Sequence, residues 1–119
     1  MRNKIKEKLL EVDKTVYYGL VPSNVKDLPW DYIVFGQKRL RKKDGNSTDL
    51  QGYWYVTIVR ENFIPDDDVF TVIKKLNEIS GLRLADGECS FVYTTKGNTD
   101  DVVEILELQF TRTLKSCDT

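Results

Sequence analysis

The sequence predicts one α+β domain, in which two helices pack on one face of a four-stranded, largely antiparallel sheet in the order α-β-β-α-β-β. Two segments repeat apolar residues at helical spacing, and four others are rich in alternating, β-branched or aromatic residues. Turn-forming residues separate these segments. A chain of 119 residues is long enough to bury one core. The domain is predicted to span residues 1–119, with about 112–119 as a flexible C-terminal tail.

The first helix is predicted from Arg2 to Val16. Its apolar residues form one stripe with steps of four, three and four, at Ile5, Leu9, Val12 and Val16. A loop with Gly19 and Pro22 follows it.

The next two strands are predicted at Trp30–Arg41 and Tyr53–Asn62. The polar segment 42–52 between them contains Asp-Gly-Asn-Ser-Thr, which is typical of a turn or longer hairpin loop. The two strands are therefore expected to form an antiparallel hairpin.

The second helix is predicted to begin at Pro65-Asp66-Asp67-Asp68. Proline is tolerated in a first turn, and the three carboxylates suit the positive end of the helix dipole. Its buried stripe is predicted at Val69, Ile73, Leu76 and Ile79, and Gly81 is predicted to end it. The three aspartates are interpreted as helix N-capping residues rather than as a metal site, because their spacing is not that of an EF-hand.

Two further strands are predicted after this helix, at Glu88–Thr95 and Val102–Leu114. In the first, Cys89, Phe91 and Tyr93 should share one face. In the second, Leu106, Leu108 and Phe110 should face the core, and Glu107, Gln109, Thr111 and Thr113 should face solvent or a partner.

Composition argues against several classes of function. The chain has no histidine, which removes the commonest general base and metal ligand. Its 18 basic and 19 acidic residues give a net charge of −1, which argues against a general nucleic-acid binder. No acid, base and nucleophile are organised around Arg60 and Glu61 or around Asp100 and Asp101. We therefore expect no catalytic residues, no cofactor, no metal ligands and no enzymatic activity.

The two cysteines are interpreted as free thiols in a reducing compartment. Cys89 is predicted to be a buried strand residue, and Cys117 to lie in the C-terminal tail. The N-terminus lacks the apolar run of a signal peptide, and no stretch is long enough to span a membrane. An intracellular location is expected.

Two features suggest an interaction surface. The basic run Lys38–Lys43 is compatible with a phosphate-contacting patch, a charged edge that prevents strand pairing, or an interface rim that steers a partner. The consecutive aromatics Tyr53, Trp54 and Tyr55 cannot all face the core, so either Trp54 or the tyrosine pair must face outward. The predicted interface residues are Arg39, Arg41, Lys42, Lys43, Trp54, Glu107, Gln109 and Thr111.

The order of these segments resembles a known family. An N-terminal helix with Ile5, Leu9 and Val12 leads into the loop Val16–Pro22 and then into Pro-Trp-Asp-Tyr-Ile-Val-Phe at Pro29–Phe35. One helix follows the second strand, and the chain closes with a turn at Gly97–Asp101 and a long strand through Phe110, Thr111 and Arg112. Over most of its length, the chain resembles the tail terminator or tail-completion (minor tail) proteins of long non-contractile-tailed phages and prophages.

This resemblance implies a structural protein of virion assembly, made in the bacterial host cytoplasm and retained in the virion. Such proteins commonly form a homo-oligomeric ring, often a hexamer, that caps the tail tube and joins it to the head. The implied partners are other copies of the chain, the tail-tube protein and the head-tail connector protein. The family implies no catalytic residue. The hairpin arm, around Arg39 to Thr48, is expected to reach a neighbouring subunit or the tube.

Other functions remain open at this point. A head-tail connector or tail-tube component would use the same kind of small domain. A small ligand-binding regulatory α+β module is an alternative from another class, although ferredoxin-like modules usually begin with a strand. A nucleic-acid adaptor is a third hypothesis, to be recognised by steeply salt-dependent DNA binding.

Overall fold

The computed structural model describes residues 1–21, 30–43, 49–85, 87, 89–96 and 99–115. The helices and strands in this part of the chain are α1 (Arg2–Leu10), β1 (Val16–Tyr18), β2 (Tyr32–Lys42), β3 (Leu50–Glu61), α2 (Asp66–Asn77), β4 (Arg83–Leu84), β5 (Phe91–Thr95) and β6 (Val102–Leu114). They form a six-stranded sheet in the order β1-β2-β3-β6, with β4 and β5 both pairing with the far side of β6.

The α+β class and the two helices are confirmed, but the four-stranded antiparallel sheet is only part of the structure. The sheet is mixed, because β1 pairs in parallel with β2, and β4 adds two residues alongside β6. Strands of two or three residues are too short to show a period of two. The structure also shortens the predicted polar loop 42–52, because β2 extends to Lys42 and β3 begins at Leu50.

The first helix is shorter than predicted. It ends at Leu10, where the backbone N–H groups that follow it still donate to carbonyls of the last turn. Asp13 then accepts a hydrogen bond from the backbone N–H of Thr15 at 3.0 Å, which forms a local turn. Val16 therefore lies in β1 rather than in the helix. Its apolar side chain still packs at the edge of the core, as does that of Val12.

Both helices pack on one face of the sheet, as predicted. The core joins Ile5 and Leu9 of α1 to Val72 and Leu76 of α2, together with Ile79. Across the sheet it contains Ile33, Phe35, Trp54, Val56, Ile58, Leu106, Leu108 and Phe110. The predicted alternation of β6 is confirmed, because its three core residues are buried and the intervening residues are half-buried on the other face. Each fully buried leucine or isoleucine contributes roughly 2 kcal/mol to folding.

The second helix begins at Asp66, as predicted, but its aspartates act differently from the expectation. The N-cap position is Pro65, and no side-chain hydrogen bond caps the helix. Asp68 instead pairs with Arg60 of β3. The carboxylates still lie in the first turn, where the helix dipole favours them. Gly81, with φ +85°, ends the turn after the helix, a conformation that suits glycine.

The strand predicted at Glu88–Thr95 is shorter and lies at the surface. It spans Phe91–Thr95 and all five of its residues are exposed. The prediction that Cys89 is a buried strand residue is wrong, because Cys89 precedes the strand as an exposed free thiol. The apolar run around it suggested burial, whereas an edge strand beyond the helices has little to cover it. The other cysteine, Cys117, lies outside the described residues.

A smaller apolar cluster covers part of the opposite face of the sheet. It consists of Tyr32, Val59 and Val103, with Tyr17, Val21, Trp30, Val34 and Ile105 packed around them. The rings of Tyr17 and Tyr32 meet edge to face at 5.8 Å. Burial is the main cause that raises the pKa of Tyr32, and the electrostatic effect of the neighbouring Tyr17 raises it further. The face opposite the helices is therefore apolar around Tyr32, Val59 and Val103, whereas the part of this face that carries Tyr53, Gln51, Thr111 and Thr113 is more polar.

The sheet extends beyond the helices as a three-stranded arm, formed by Lys38–Lys42, Leu50–Tyr53 and Thr111–Leu114. On its helix side, Leu40 and Leu50 remain 53% and 37% exposed. The radius of gyration is 15.9 Å and the extents are 55 × 29 × 23 Å, whereas a compact domain of this length has a radius of about 13.5 Å. Because Arg112–Leu114 lies in β6, the predicted flexible tail does not begin at Arg112.

Candidate interaction surface

The face of the sheet opposite the helices brings together most of the predicted interface residues, on the arm and directly beside it. The strand register aligns Arg39 with Tyr53 and Thr111, and Arg41 with Gln51 and Thr113. Because side chains alternate along a strand, Glu107 and Gln109 lie on the same face. The alternation of β6 in the sequence predicted that these side chains of β6 share a face, and the strand register places them so. Part of the predicted arm, residues 44–48, lies outside the described residues.

Polar contacts hold this face together. The guanidinium of Arg39 lies 4.3 Å from the centre of the Tyr53 ring, a cation–π contact worth about 0.5–1 kcal/mol at an exposed site. Lys38 Nζ lies 3.2 Å from Glu107 Oε2. Gln51 donates a hydrogen bond to Thr111 Oγ1 and accepts one from Thr113 Oγ1. These cross-strand contacts fix the orientation of the side chains that a partner would meet.

Two of the predicted interface residues lie elsewhere. Trp54 is only 4% exposed and stacks on Phe35 in the core, so the tyrosine pair is the one that faces outward. Lys42 projects from the helix side of the arm, whereas Lys43, one residue past β2, lines a shallow concavity together with Arg41, Gln51 and Tyr53. The sequence left the choice between Trp54 and the tyrosines open, because a run of three aromatics shows no preferred face.

Tyr55 connects the outer face to the loop after β1. Its hydroxyl donates to the carbonyl of Gly19 at 2.9 Å, so the ring must cross β2. It crosses at Gly36, where an added Cβ would lie 2.8 Å from the Tyr55 hydroxyl. Glycine is therefore required at position 36 by the close approach of this ring.

Charges are separated along the long axis of the molecule. The end formed by the arm, here called the basic end, carries Lys38, Arg39, Arg41, Lys42, Lys43, Arg112 and Lys115. The opposite end, here called the acidic end, carries Asp31, Glu61, Asp66, Asp67, Asp68, Asp100 and Asp101. A chain whose net charge is only −1 therefore has two oppositely charged ends.

The acidic end contains its own ion pairs. Arg60, 12% exposed, lies 2.8 Å from Asp13 and 3.1 Å from Asp68. Lys96 Nζ lies 2.7 Å from Glu61. The hydrogen bond from Lys96 lowers the pKa of Glu61, and the same bond raises the pKa of Lys96. At the basic end, no ion pair among the described residues involves Arg41, Lys42 or Lys43.

The sheet has an open edge at each side. β1 covers β2 only from Ile33 to Phe35, and within the described ranges no strand pairs with β2 beyond that point on the side away from β3. On the other side, β5 pairs with β6, and the described part of the chain adds no strand beyond it. Unpaired edges are available to bind another strand.

A cleft of about 440 Å³ lies between the arm and the turn after α2. Arg83, Arg112 and Lys115 line it. Arg112 Nε is buried there and has no hydrogen-bond partner among the residues that the structure describes. The positive charges of these three side chains favour the binding of an anion, but two of them, Arg83 and Lys115, are exposed to solvent rather than enclosed by the cleft.

In the ranges that the structure describes, no group of three or more acidic or cysteine residues is placed to hold a metal ion. Across the same ranges, none of the helices has the length and apolarity needed to cross a membrane. The chain matches no protein-family model and no curated protein at a significant level.

Proposed function

We propose that this chain is a structural protein of phage or prophage virion assembly. It caps the tail tube as a homo-oligomeric ring, for which a hexamer is expected, and joins the tube to the head connector. The observation that carries the proposal is the arm, which extends the sheet beyond the helices and presents polar side chains held by cross-strand contacts on its outer face. A capping protein must contact a neighbour, the tube and the connector, and such contacts need surfaces rather than an enclosed pocket.

The separated charges also support this proposal. A ring is built from heterologous contacts, in which one patch meets a different patch on the next copy. A molecule with a basic end and an acidic end has two such patches, and like charges disfavour contacts between identical ends. A connector or tail-tube component would use the same surfaces, so the finer role within the assembly is part of the proposal.

The test is the assembly state of the purified protein, measured by light scattering on a size-exclusion column and by negative-stain electron microscopy. We expect closed single rings. Replacing Arg39, Arg41 and Lys43 with glutamate should abolish the rings and leave a folded monomer, because it reverses the charge of the arm. A matched control variant replaces three other exposed lysines, Lys4, Lys6 and Lys74, with glutamate, and it should still form rings.

Other outcomes would favour other functions. Rings that stack into long tubes would favour a tail-tube component over a terminator. A wild-type protein that stays monomeric and shows a saturable melting shift with a metabolite would favour the ligand-binding module. Normal rings from the arm variant would show that the arm is not the interface.

A further inference from the structure

We infer that the open β2 edge of the arm in one copy pairs with β5 of the next copy, so that the sheet continues from subunit to subunit. This inference rests on the proposed function and names the contact that would close the ring. Its occupant is a second copy of this chain. Four observations support it: the backbone groups on the two edges, their apolar side chains, their opposite charges and their equal lengths.

The first observation is that both edges present backbone groups to which no strand of the described residues is bonded. The backbone N–H of Lys96 donates to the carbonyl of Asp101, and that of Ala85 donates to the carbonyl of Gln109. The backbone N–H and C=O groups of the odd-numbered residues of β6 are therefore directed toward β5 and β4. Hydrogen-bonding direction alternates along an antiparallel ladder, so the backbone N–H and C=O groups of Phe91, Tyr93 and Thr95 are directed away from β6. In the arm, the bulge between Gln37 and Arg39 shifts the register between β2 and β3. The same alternation then directs the backbone N–H and C=O groups of Leu40 and Lys42 away from β3.

The second observation is that β5 lacks the protection usual for an edge strand. Its sequence Phe-Val-Tyr-Thr-Thr contains no charge and no proline, and Phe91, Val92 and Tyr93 are 49%, 57% and 61% exposed. Edge strands that stay unpaired usually carry a charge, a proline or a bulge, and β5 has none of these. The β2 edge does carry cations and a bulge, so it disfavours a second β2 edge and requires a partner edge with opposite charge. Leu40, also exposed, is a matching apolar side chain on the β2 edge. The two edges thus offer apolar surface to each other.

The third observation is the charge beside each edge. Arg39, Arg41 and Lys42 lie on the β2 edge, whereas Asp100 and Asp101 lie in the turn after β5. Two β2 edges would bring cations together, and two β5 edges would bring carboxylates together. Only the pairing of unlike edges is attractive, so the contact is head to tail, as a ring requires, and is not the contact of a two-fold dimer.

The fourth observation is length. The open part of β2 in the arm, Lys38–Lys42, and the edge strand β5 each contain five residues. Each edge can therefore pair fully with the other. A ladder of this length also fixes the register between subunits, because a shift of one residue turns every side chain to the other face.

A charge-exchange experiment tests the contact. The arm variant is Arg39→Glu with Arg41→Glu, and the acidic variant is Asp100→Lys with Asp101→Lys. Each variant alone should need at least a tenfold higher concentration to form rings, because each brings like charges together. Mixed in equal amounts, they should form alternating rings, because each arm then meets an end of opposite charge. A control double variant, which carries both Lys6→Glu and Lys74→Glu, should form rings at the same concentration as the wild type.

A second pair of variants tests the backbone pairing. Tyr93→Pro removes an N–H that points to the open edge and leaves the ladder to β6 intact, since proline is tolerated at such a position. It should abolish rings, whereas Tyr93→Ala, which keeps the N–H, should weaken them less. The same comparison applies to Leu40→Pro and Leu40→Ala. Circular dichroism and thermal melting would confirm that each monomer is folded.

The outcomes separate this inference from the proposed function. Rings that form equally well from either charge variant alone, or a mixture that fails to recover, would overturn the edge contact and leave the capping role standing. Open filaments that obey the charge-exchange rule would support the contact and contradict the terminator role. A wild type that is monomeric at every concentration would overturn both.

Discussion

Two arginines illustrate how differently one residue type is used in this fold. Arg60, on β3, links the loop after α1 to the start of α2 through Asp13 and Asp68, and it also donates to the carbonyl of Val59 at 3.0 Å. Arg112, on β6, has a buried Nε with no hydrogen-bond partner in the described part of the chain. The first arginine satisfies two carboxylates, of which Asp13 is only 13% exposed. The second leaves a donor unsatisfied.

The two arginines should therefore respond oppositely to substitution with methionine. Arg60→Met should lower the free energy of unfolding by about 3 kcal/mol, because it leaves partly buried carboxylates without a cation. Arg112→Met should be neutral or slightly stabilising, because it removes a buried unsatisfied donor and keeps a similar shape. Urea unfolding of both variants measures the difference. Equal losses would contradict this account.

At the residue level, the sequence predicted which side chains of β6 face outward but not what they contact. The alternation of Glu107, Gln109 and Thr111 is visible in the sequence, and the structure places them on one face. The partners of Arg60 are 47 residues before it and eight residues after it, and only the folded sheet brings them together. Neighbouring charges in sequence, such as Arg60 and Glu61, proved to have separate partners.

At the level of elements, long segments were predictable and short ones were not. The second helix and β6 were predicted within a few residues, because each carries a sustained periodic pattern. β1 and β4 could not be recognised, because two or three residues contain no period and depend on a partner strand. The bulge in β2 also has no signal in the sequence, although it sets which residues of the arm face outward.

The packing of β3 against β2 depends on a single glycine. Gly36→Ala should lower the free energy of unfolding by about 1–3 kcal/mol, because the new Cβ would force the Tyr55 ring aside. In a Tyr55→Ala background the same substitution should cost much less, since the obstructing ring is gone. A double-mutant cycle by urea unfolding gives the coupling. Additive losses would show that Gly36 is needed for some other reason.

At the level of the whole molecule, the composition concealed the main electrostatic feature. A net charge of −1 suggested no strong field, yet the fold places most cations of the β2 run at one end and a set of carboxylates at the other. The basic run was visible in the sequence. Its separation from the acidic residues was not, because it follows from the antiparallel course of β2, β3 and β6.

This separation of charge predicts how assembly depends on salt. Raising the ionic strength from about 0.05 M to about 0.5 M shortens the screening length several-fold. The rate of ring formation should therefore fall at least tenfold, because attraction between unlike ends guides encounter. Stopped-flow light scattering at several salt concentrations measures this rate. A rate independent of salt would show that the charged ends do not guide assembly.

The central position of β6 governs when the chain can fold during its synthesis. β6 is the pairing partner of β3 along one side and of β4 and β5 along the other, and it supplies Leu106, Leu108 and Phe110 to the core. Within the described residues it is also the last strand in chain order. A nascent chain that has not reached residue 114 therefore leaves β3 without its neighbour on one side and β5 without the strand it pairs with. The two halves of the sheet are thus joined only when β6 has been synthesised.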